Sequence, residues 1–165
     1  MMKQAEITAY RPCVGIMLLN HKNEAWIGRR FEKQNDDGIG KWWQMPQGGV
    51  DDGEDLVAAA KRELYEETGV TTASLIAESK GWHHYDLPEH LIGKSWKGKY
   101  RGQKQKWFVF RFEGKDSEIT LQVPGQKQEF DGWRWAKMDE LIDLIIPFKR
   151  AVYVEVVAEF RSLLE

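Results

Sequence analysis

The sequence predicts an α+β fold, an α/β/α sandwich in which a mixed β-sheet lies between helices. Short apolar segments with strand character are spread along the chain, and two longer segments with helical periodicity stand in the middle and at the end. No repeat or low-complexity linker divides the 165 residues. We therefore predict a single domain over residues 1–165, with a core spanning about residues 10–160.

The strands are predicted from apolar runs bounded by turn residues. Residues 14–19 are apolar throughout, and residues 25–28 are a plausible partner strand. Residues 31–41 are polar and contain Asp-Asp-Gly, which predicts a loop. Further strands are predicted at residues 74–77, 82–85, 106–112 and 132–136. The run at 106–112 is almost continuously apolar, as is typical of a central strand.

The clearest helix is predicted at residues 56–68. Its apolar stripe at helical spacing consists of Leu56, Ala59, Ala60 and Leu64. The acidic residues before it, which the helix dipole favours there, are Asp51, Asp52, Glu54 and Asp55. Gly69 follows as a natural C-terminal cap.

A closing helix is predicted at residues 147–164, because Pro147 suits a first helical turn. The residues that can share one face of this helix are Val152, Val156, Phe160 and Leu163. The valines also permit a strand at this position.

Composition excludes several classes of protein. A formal net charge of −2 is unlike that of a broadly basic nucleic-acid binder, so any contact with a polyanion must come from a local patch. Eight Trp residues can build a core or stack on nucleobases. The one cysteine, Cys13, cannot form an internal disulfide, and no apolar run approaches the roughly 18 residues of a membrane span. We predict a cytoplasmic protein that uses no membrane, and no feature indicates a stable protein partner.

Three carboxylates in the predicted helix form the strongest chemical signal. Glu63, Glu66 and Glu67 stand at i, i+3 and i+4, which places them within about 100° of arc. Like charges at this spacing destabilise a helix, and a divalent cation such as Mg²⁺ would reverse that cost. The alternative is a solvated acidic helix face.

The residues around these carboxylates fit a ligand site. Gly48 and Gly49 permit a sharp turn and a close approach of the backbone to a metal or ligand, and Arg62 can fix carboxylates through paired hydrogen bonds. The pattern reads Gly, five residues, Glu, seven residues, then Arg-Glu-apolar-any-Glu-Glu-any-Gly-apolar. Seven fixed identities give a chance match on the order of 10⁻⁸ per window.

Residues 48–70 resemble the Nudix box at every defining position. The resemblance implies the Nudix fold, with the box as a loop–helix–loop, and hydrolysis of a phosphoanhydride bond with Mg²⁺, or with Mn²⁺ or another divalent cation. It implies that Glu63, Glu66 and Glu67 are metal-binding and catalytic, and that the carbonyl group of Gly48 joins the metal shell. It also implies that Arg62 orients the glutamates and that Glu54 is structural.

The similarity extends to residues 10–15, 43–49, 102–108, 129–135 and 148–150, which look like bacterial RNA pyrophosphohydrolases and the related dinucleoside tetraphosphate hydrolases. In that subgroup the position of Glu129 implies a further acidic residue that faces the metals. Alone, Glu129 would be interpreted as a surface turn residue. Positions near the 5′ phosphates or the first bases correspond to Arg11, Arg30, Tyr85, Phe148 and Lys149. Phe148 could instead be a core residue of the last helix.

A basic segment lies in the middle of the chain. Six cations without an acid between them are interleaved with aromatic residues, a pattern that suits phosphates and bases. The cations are Lys94, Lys97, Lys99, Arg101, Lys104 and Lys106. Lys104 and Lys106 lie in a segment that resembles the subgroup, so we predict that they bind substrate. A solvated loop is the alternative.

The other reactive side chains are two histidines, interpreted as structural or as residues at the rim of the substrate site, and the cysteine. His83 and His84 are neighbours on a predicted strand and would point to opposite faces, so they would not chelate one metal together. Cys13 stands in an apolar strand and is predicted to be buried.

The predicted substrate is the 5′-triphosphate end of RNA, which would lose pyrophosphate and keep a 5′-monophosphate. A dinucleoside polyphosphate such as diadenosine tetraphosphate is the alternative, indicated by the long loop at residues 31–41 and by the sequence of residues 51–55. A non-catalytic nucleotide- or RNA-binding module would be expected to lack one of the box glutamates, and all three are present.

Overall fold

The computed structural model describes residues 9–31, 42–89 and 99–164, and within them the chain forms an eight-stranded mixed sheet with three α-helices. The strands are β1 Tyr10–Leu19, β2 Ala25–Arg30, β3 Trp43–Gln44, β4 Gln47–Gly49, β5 Ala73–Glu78, β6 His83–Asp86, β7 Gly102–Phe112 and β8 Phe130–Ala136. The helices are α1 Leu56–Thr68, α2 Met138–Leu144 and α3 Arg150–Leu164.

The parallel pair β1 and β7 forms the centre of the sheet, from Tyr10 opposite Gly102 to Leu19 opposite Arg111. β2 and β3 extend the sheet beyond β1, and β5 extends it beyond β7. The first half of β1 also pairs with β4, and the first half of β7 also pairs with β6. The residues of β4 and β6 are thereby brought to the same end of the sheet, on either side of the central pair.

Helices cover both faces of this sheet. α1 packs through Ala59, Ala60 and Leu64 onto one apolar cluster, and α2 and α3 bury a second cluster on the opposite face. Each fully buried large apolar side chain contributes about 1.5–3 kcal/mol. The predicted α/β/α sandwich is confirmed, and the predicted run at residues 106–112 lies in the central strand β7.

Both ends of α1 are fixed by local chemistry. The Asp55 carboxylate accepts a hydrogen bond from the backbone N–H of Ala58 at 3.0 Å, which satisfies a free donor of the first turn. Gly69 ends the helix in the left-handed region, at φ 73°, where a side chain would be strained. The helix therefore has the predicted bounds.

Other predicted elements differ at their ends. β1 begins at Tyr10 and β7 at Gly102, because the parallel pairing continues through polar residues that carry no apolar signal. α2 was not predicted, because a helix of seven residues with only two buried side chains, Met138 and Leu141, is too short to show a detectable hydrophobic periodicity. The predicted loop at residues 31–41 lies outside the described residues except for Phe31.

The helix predicted at residues 147–164 is confirmed over the strand alternative, but its start is wrong. Pro147–Lys149 forms a 3₁₀ turn, and α3 begins at Arg150. Of the four residues that can share one face of this helix, Val152, Val156 and Phe160 are buried. Leu163, at the end of the helix beside the edge strand β5, is 59% exposed.

No helix in the described ranges has the length and apolar character needed to cross a membrane.

Candidate active site

A cavity of about 490 Å³ opens at the end of the sheet where β4, β6 and α1 meet. We call the carboxylates in its lining the acidic wall, formed by Glu63, Glu66, Glu67 and Glu129. We call the cationic and aromatic side chains in its lining the basic wall, formed by Arg11, Arg30, Tyr85, Phe148 and Lys149. The structure thus brings four predicted carboxylates and five predicted substrate residues into one cavity.

The acidic wall is built from two parts of the chain. Three of its carboxylates come from one face of α1, at the helical spacing noted in the sequence. Glu129 comes from the residue that immediately precedes β8, and its negative charge acts on Glu67. Gly48 faces this wall, because a Cβ atom at Gly48 would collide with the Glu63 carboxylate. A glycine is therefore required where the backbone and this carboxylate meet.

Arg62 holds the acidic wall together. Its guanidinium binds both oxygens of Glu54, with Nε to Oε2 at 2.8 Å and Nη2 to Oε1 at 3.0 Å. It also donates to Glu63 at 2.9 Å, to Glu66 at 3.3 Å and to the carbonyl oxygen of Gly49 at 2.9 Å. The predicted orienting role of Arg62 and structural role of Glu54 agree with this network.

Burial dominates the electrostatics of Glu63 and Glu67 in the acidic wall. Burial, opposed in part by Arg62, raises the pKa of Glu63 to about 7. Burial and the charges of Glu63 and Glu129 raise the pKa of Glu67 well above its ordinary value. The Glu67 Oε2 atom is shielded from solvent and has no hydrogen-bond partner. Glu54, held by Arg62, has its pKa lowered to about 2.

These features fit a divalent cation. An orphaned buried carboxylate oxygen beside further acidic side chains is the donor set that hard cations prefer, and a bound cation would remove the cost of burying like charges. Within residues 9–31, 42–89 and 99–164, no three acidic, imidazole or thiol side chains already converge on one point at metal-binding distances. The residues that could hold the ion are Glu63, Glu66, Glu67, Glu129 and the backbone of Gly48.

The centre of the basic wall is a group of packed side chains, in which the rings of Tyr85 and Phe148 are tilted by 42°. The rings of Tyr85 and Phe148 lie 5.8 Å apart, and the Lys149 ammonium lies 5.4 Å from the Tyr85 ring centroid. Lys149 is only 5% exposed, and burial, together with the charge of Arg30, lowers its pKa to about 7. An anion in the cavity would stabilise the charged form of this lysine.

Two arginines complete the basic wall. Arg11 lies on β1 against Gly49, where a Cβ atom would collide with its guanidinium. Arg30 ends β2 at an irregularity in the pairing with β8, and its backbone N–H binds the Trp42 carbonyl at 2.9 Å. Both arginines line the cavity together with the glutamates, and the charge of Arg11 acts on Glu63.

Two predicted substrate residues lie elsewhere. Lys104 and Lys106 are partly exposed on β7 and do not line the cavity, and the Lys104 ammonium lies 5.0 Å from the Trp82 ring centroid. Neighbouring residues on a strand point to opposite faces, which separates them from Gln103 in the cavity. Their binding role remains a prediction. Of the basic segment, Lys94, Trp96 and Lys97 lie outside the described residues.

The remaining sequence predictions concern side chains near the cavity. His83 lies 3.3 Å from Glu155 and 3.4 Å from Glu159 on α3, whereas His84 meets the Tyr10 ring edge-on, so the two histidines face opposite sides as predicted. Cys13 is fully buried, as predicted, and burial raises its pKa to about 11.

Sequence reasoning missed a set of neutral amides. Gln44, Gln47 and Gln103 also line the cavity. The available signal was weak: Gln103 and Gln105 alternate with lysines ahead of an apolar strand, and glutamines at such a position are usually exposed.

Comparison with known proteins places this geometry in a family context. A NUDIX domain profile matches residues 9–157. The RNA pyrophosphohydrolase of Agrobacterium fabrum (strain C58 / ATCC 33970) is 57% identical over 164 residues, which cover 97% of this chain and 96% of that protein. The RNA pyrophosphohydrolase of Rhizobium meliloti (strain 1021) is 56% identical over 163 residues, covering 96% and 98%.

Solved structures share the fold at low sequence identity. The E. coli dihydroneopterin triphosphate pyrophosphohydrolase has a TM-score of 0.64 at 18% identity, covering 92% of this chain and 99% of that chain. A C. elegans Ap4A hydrolase binary complex has a TM-score of 0.62 at 16% identity, covering 92% and 97%. The architecture is thus found in other enzymes of known structure.

Proposed function

The chain belongs to the NUDIX domain family, and from that membership we propose that it is a metal-dependent RNA pyrophosphohydrolase. It removes pyrophosphate from the 5′-triphosphate end of RNA and leaves a 5′-monophosphate, a step that would initiate mRNA decay. The cytoplasm is the proposed location, and residues 1–165 are proposed to act as one domain.

One observation carries the proposal: the acidic wall and the basic wall line the same cavity of about 490 Å³. A polyphosphate needs cations on both sides. The glutamates are negatively charged, so they can contribute to binding the phosphate chain only through metal cations that they hold. The basic wall supplies fixed cations and two aromatic rings beside them. The combination suits a substrate with a phosphate chain at one end and a base at the other.

The metal would be held by Glu63, Glu66, Glu67, Glu129 and the Gly48 carbonyl, with Mg²⁺ as the first candidate and Mn²⁺ or another divalent cation as alternatives. When bound, it neutralises phosphate charge and lowers the pKa of a bound water. Arg62 keeps the α1 glutamates in place through its hydrogen bonds. One glutamate of the acidic wall accepts the proton of the attacking water.

The basic wall binds the substrate end. Arg11 and Lys149 contact phosphate oxygens, and Phe148 stacks on a base while Arg30 covers its other face. Lys104 and Lys106 attract the RNA backbone from outside the cavity.

A dinucleoside polyphosphate, such as diadenosine tetraphosphate, is the second candidate substrate. The same cavity would accept it, because it also presents a nucleoside on a phosphate chain. A non-catalytic binding module is disfavoured, since Glu63, Glu66 and Glu67 all line the cavity.

The test compares kcat/KM for a 5′-triphosphorylated RNA and for diadenosine tetraphosphate, in Mg²⁺ and with one protein batch. We expect at least a tenfold preference for the RNA, with pyrophosphate as a product. Addition of EDTA should abolish turnover of both. A preference for the dinucleotide would assign the second candidate, and turnover of neither would contradict the proposed function.

A further inference from the structure

We propose that Gln105, which does not line the cavity, is a positioning residue that together with Trp107 orients the side-chain amides of Gln47 and Gln103. In that orientation both amides present N–H donors to the phosphate oxygens of the substrate. The identity of the substrate rests on the proposed function, whereas the orientation of the amides rests on the hydrogen bonds alone.

The four side chains form a continuous hydrogen-bonded relay. The Trp107 indole Nε1–H donates to Gln105 Oε1 at 3.0 Å. Gln105 Nε2 then donates to Gln103 Oε1 at 2.8 Å and to Gln47 Oε1 at 3.2 Å. Trp107, Gln105 and Gln103 are 0%, 1% and 3% exposed. Water therefore offers these groups little competition, and the relay strengthens accordingly.

The chemistry of the indole sets the direction of the whole relay. An indole nitrogen only donates, so the oxygen of Gln105 must face it. The amide nitrogen of Gln105 then has two hydrogens for two neighbours, and each neighbour must turn its oxygen inward. Since Gln47 and Gln103 line the cavity, the N–H₂ group of each is the part left for a ligand. The hydrogen-bond pattern thereby assigns the oxygen and the nitrogen of each amide, two atoms that are similar in size.

Trp107 is a rigid starting point for this relay. Its ring lies edge-to-face on Tyr153 at 5.7 Å, and its backbone N–H binds Ser79 Oγ at 3.0 Å. The ring fills the space beside Gly15, where a Cβ atom would clash with it. The indole cannot rotate away without disturbing β1, so the donor that orders the amides is fixed by packing.

The amides suit a phosphate chain that must lie close to glutamates. Phosphate oxygens only accept hydrogen bonds, so reversed amides would repel them. Additional cations would pair with the acidic wall, whereas neutral donors bind phosphate without competing for the metal site. Gln47 precedes Gly48 on β4, and Gln103 pairs with Tyr85 across β6 and β7. The relay therefore joins the neighbourhoods of both walls.

Gln105→Met tests the relay, because methionine has similar length and no amide. We expect KM for triphosphorylated RNA to rise about tenfold, the loss that corresponds to one hydrogen bond, while kcat changes less than threefold. Gln126→Met, at an exposed turn, is the matched control and should behave as wild type. An unchanged KM in folded Gln105→Met overturns the proposal.

A double-mutant cycle separates positioning from general packing. Gln103→Met alone should raise KM, and adding Gln105→Met should then raise KM by clearly less than the tenfold expected in the wild-type background, because only the effect of Gln105 on Gln47 remains. Multiplicative effects of the two substitutions would mean that Gln105 acts independently, which contradicts the relay.

A measurement on the wild-type protein covers the case in which a variant fails to fold or the RNA is not turned over. In ¹⁵N-labelled protein with Mg²⁺, inorganic triphosphate should shift the side-chain amide signals of Gln47 and Gln103 and leave that of Gln126 in place. Unchanged signals of Gln47 and Gln103 refute the relay. Shifted signals without RNA turnover refute the proposed substrate and retain the relay.

Discussion

The acidic wall and the basic wall of the cavity are both made of charges withdrawn from water, but they are assembled in opposite ways. Three of the four acidic side chains come from two turns of α1, and Arg62 of the same helix binds two of them, Glu63 and Glu66. The basic wall takes Arg11 from β1, Arg30 from β2 and Tyr85 from β6, with Phe148 and Lys149 from the turn before α3. The acidic wall is formed mainly by residues that are close in sequence, whereas the basic wall is formed by residues that only the tertiary structure brings together.

Burial also shifts the pKa values of charged groups in the two walls in opposite directions. Burial raises the pKa of Glu63 to about 7 and lowers the pKa of Lys149 to about 7. Burial therefore destabilises the charged groups of each wall. A bound cation would stabilise the carboxylates of the acidic wall, and a bound polyphosphate would stabilise the ammonium of the basic wall.

The largest effect is expected from Glu67→Gln in the acidic wall. Turnover should fall by at least about 1000-fold, because a metal ligand or the proton acceptor is removed. The metal-free variant should unfold at the same or a higher temperature than wild type, since a buried carboxylate becomes a neutral amide. Steady-state kinetics and thermal unfolding in EDTA measure the two effects.

Glu78→Gln is the control for that substitution, because Glu78 is exposed at the end of β5 and lies outside the cavity. Turnover should match wild type. Retained activity in Glu67→Gln would show that the acidic wall is not the metal site.

A smaller effect is expected from Lys149→Met in the basic wall. KM for triphosphorylated RNA should rise about tenfold to thirtyfold through loss of a charged hydrogen bond. The melting temperature should rise by at least about 3 °C, because a desolvated ammonium is removed. Lys127→Met, in an exposed turn, is the control and should change neither quantity.

The same lysine predicts a pH dependence. The folded protein binds the Lys149 proton with a pKa of about 7, below the ordinary value of 10.5. The unfolded chain therefore holds more protons between these values, and the free energy of unfolding should rise with pH across that window. The groups that act on this ammonium are Arg30, Cys13, Glu67 and the Tyr85 ring. The rise of the free energy of unfolding with pH should be smaller in Lys149→Met than in wild type. Equal slopes in the two proteins would contradict the lowered pKa of Lys149.

The smallest effect is expected from Lys104→Met, outside both walls. KM for RNA should rise about twofold to threefold at low salt, and the difference should vanish near about 0.3 M salt, where exposed charges are screened. Lys115→Met is the matched exposed control. A tenfold, salt-independent rise would place Lys104 in the basic wall and change the comparison.

The local features of the molecule could be predicted because short-range rules decide them. The spacing of Glu63, Glu66 and Glu67 on a helix places them on one face whatever the rest of the chain does. Asp55 and Gly69 cap that helix through contacts within a few residues. The resemblance of residues 48–70 to the Nudix box added the chemistry, and it correctly gave the family.

Predictions failed where the outcome depends on packing. The start of α3 and the helix α2 depend on which surface the neighbouring strands leave uncovered. A hydrophobic period shows which residues can be buried, and only the assembled layers decide which are buried.

By itself, the sequence determined the family, the sandwich architecture and the acidic face of α1, since these follow from spacing along one helix and from an extended motif. Only the tertiary structure decided which cations reach the cavity and how its amides are turned. Gln47, Gln103 and Gln105 meet because β4, β1 and β7 pair in one register. Strand register is a long-range property, set by the buried faces of the whole sheet, and no local pattern carries it.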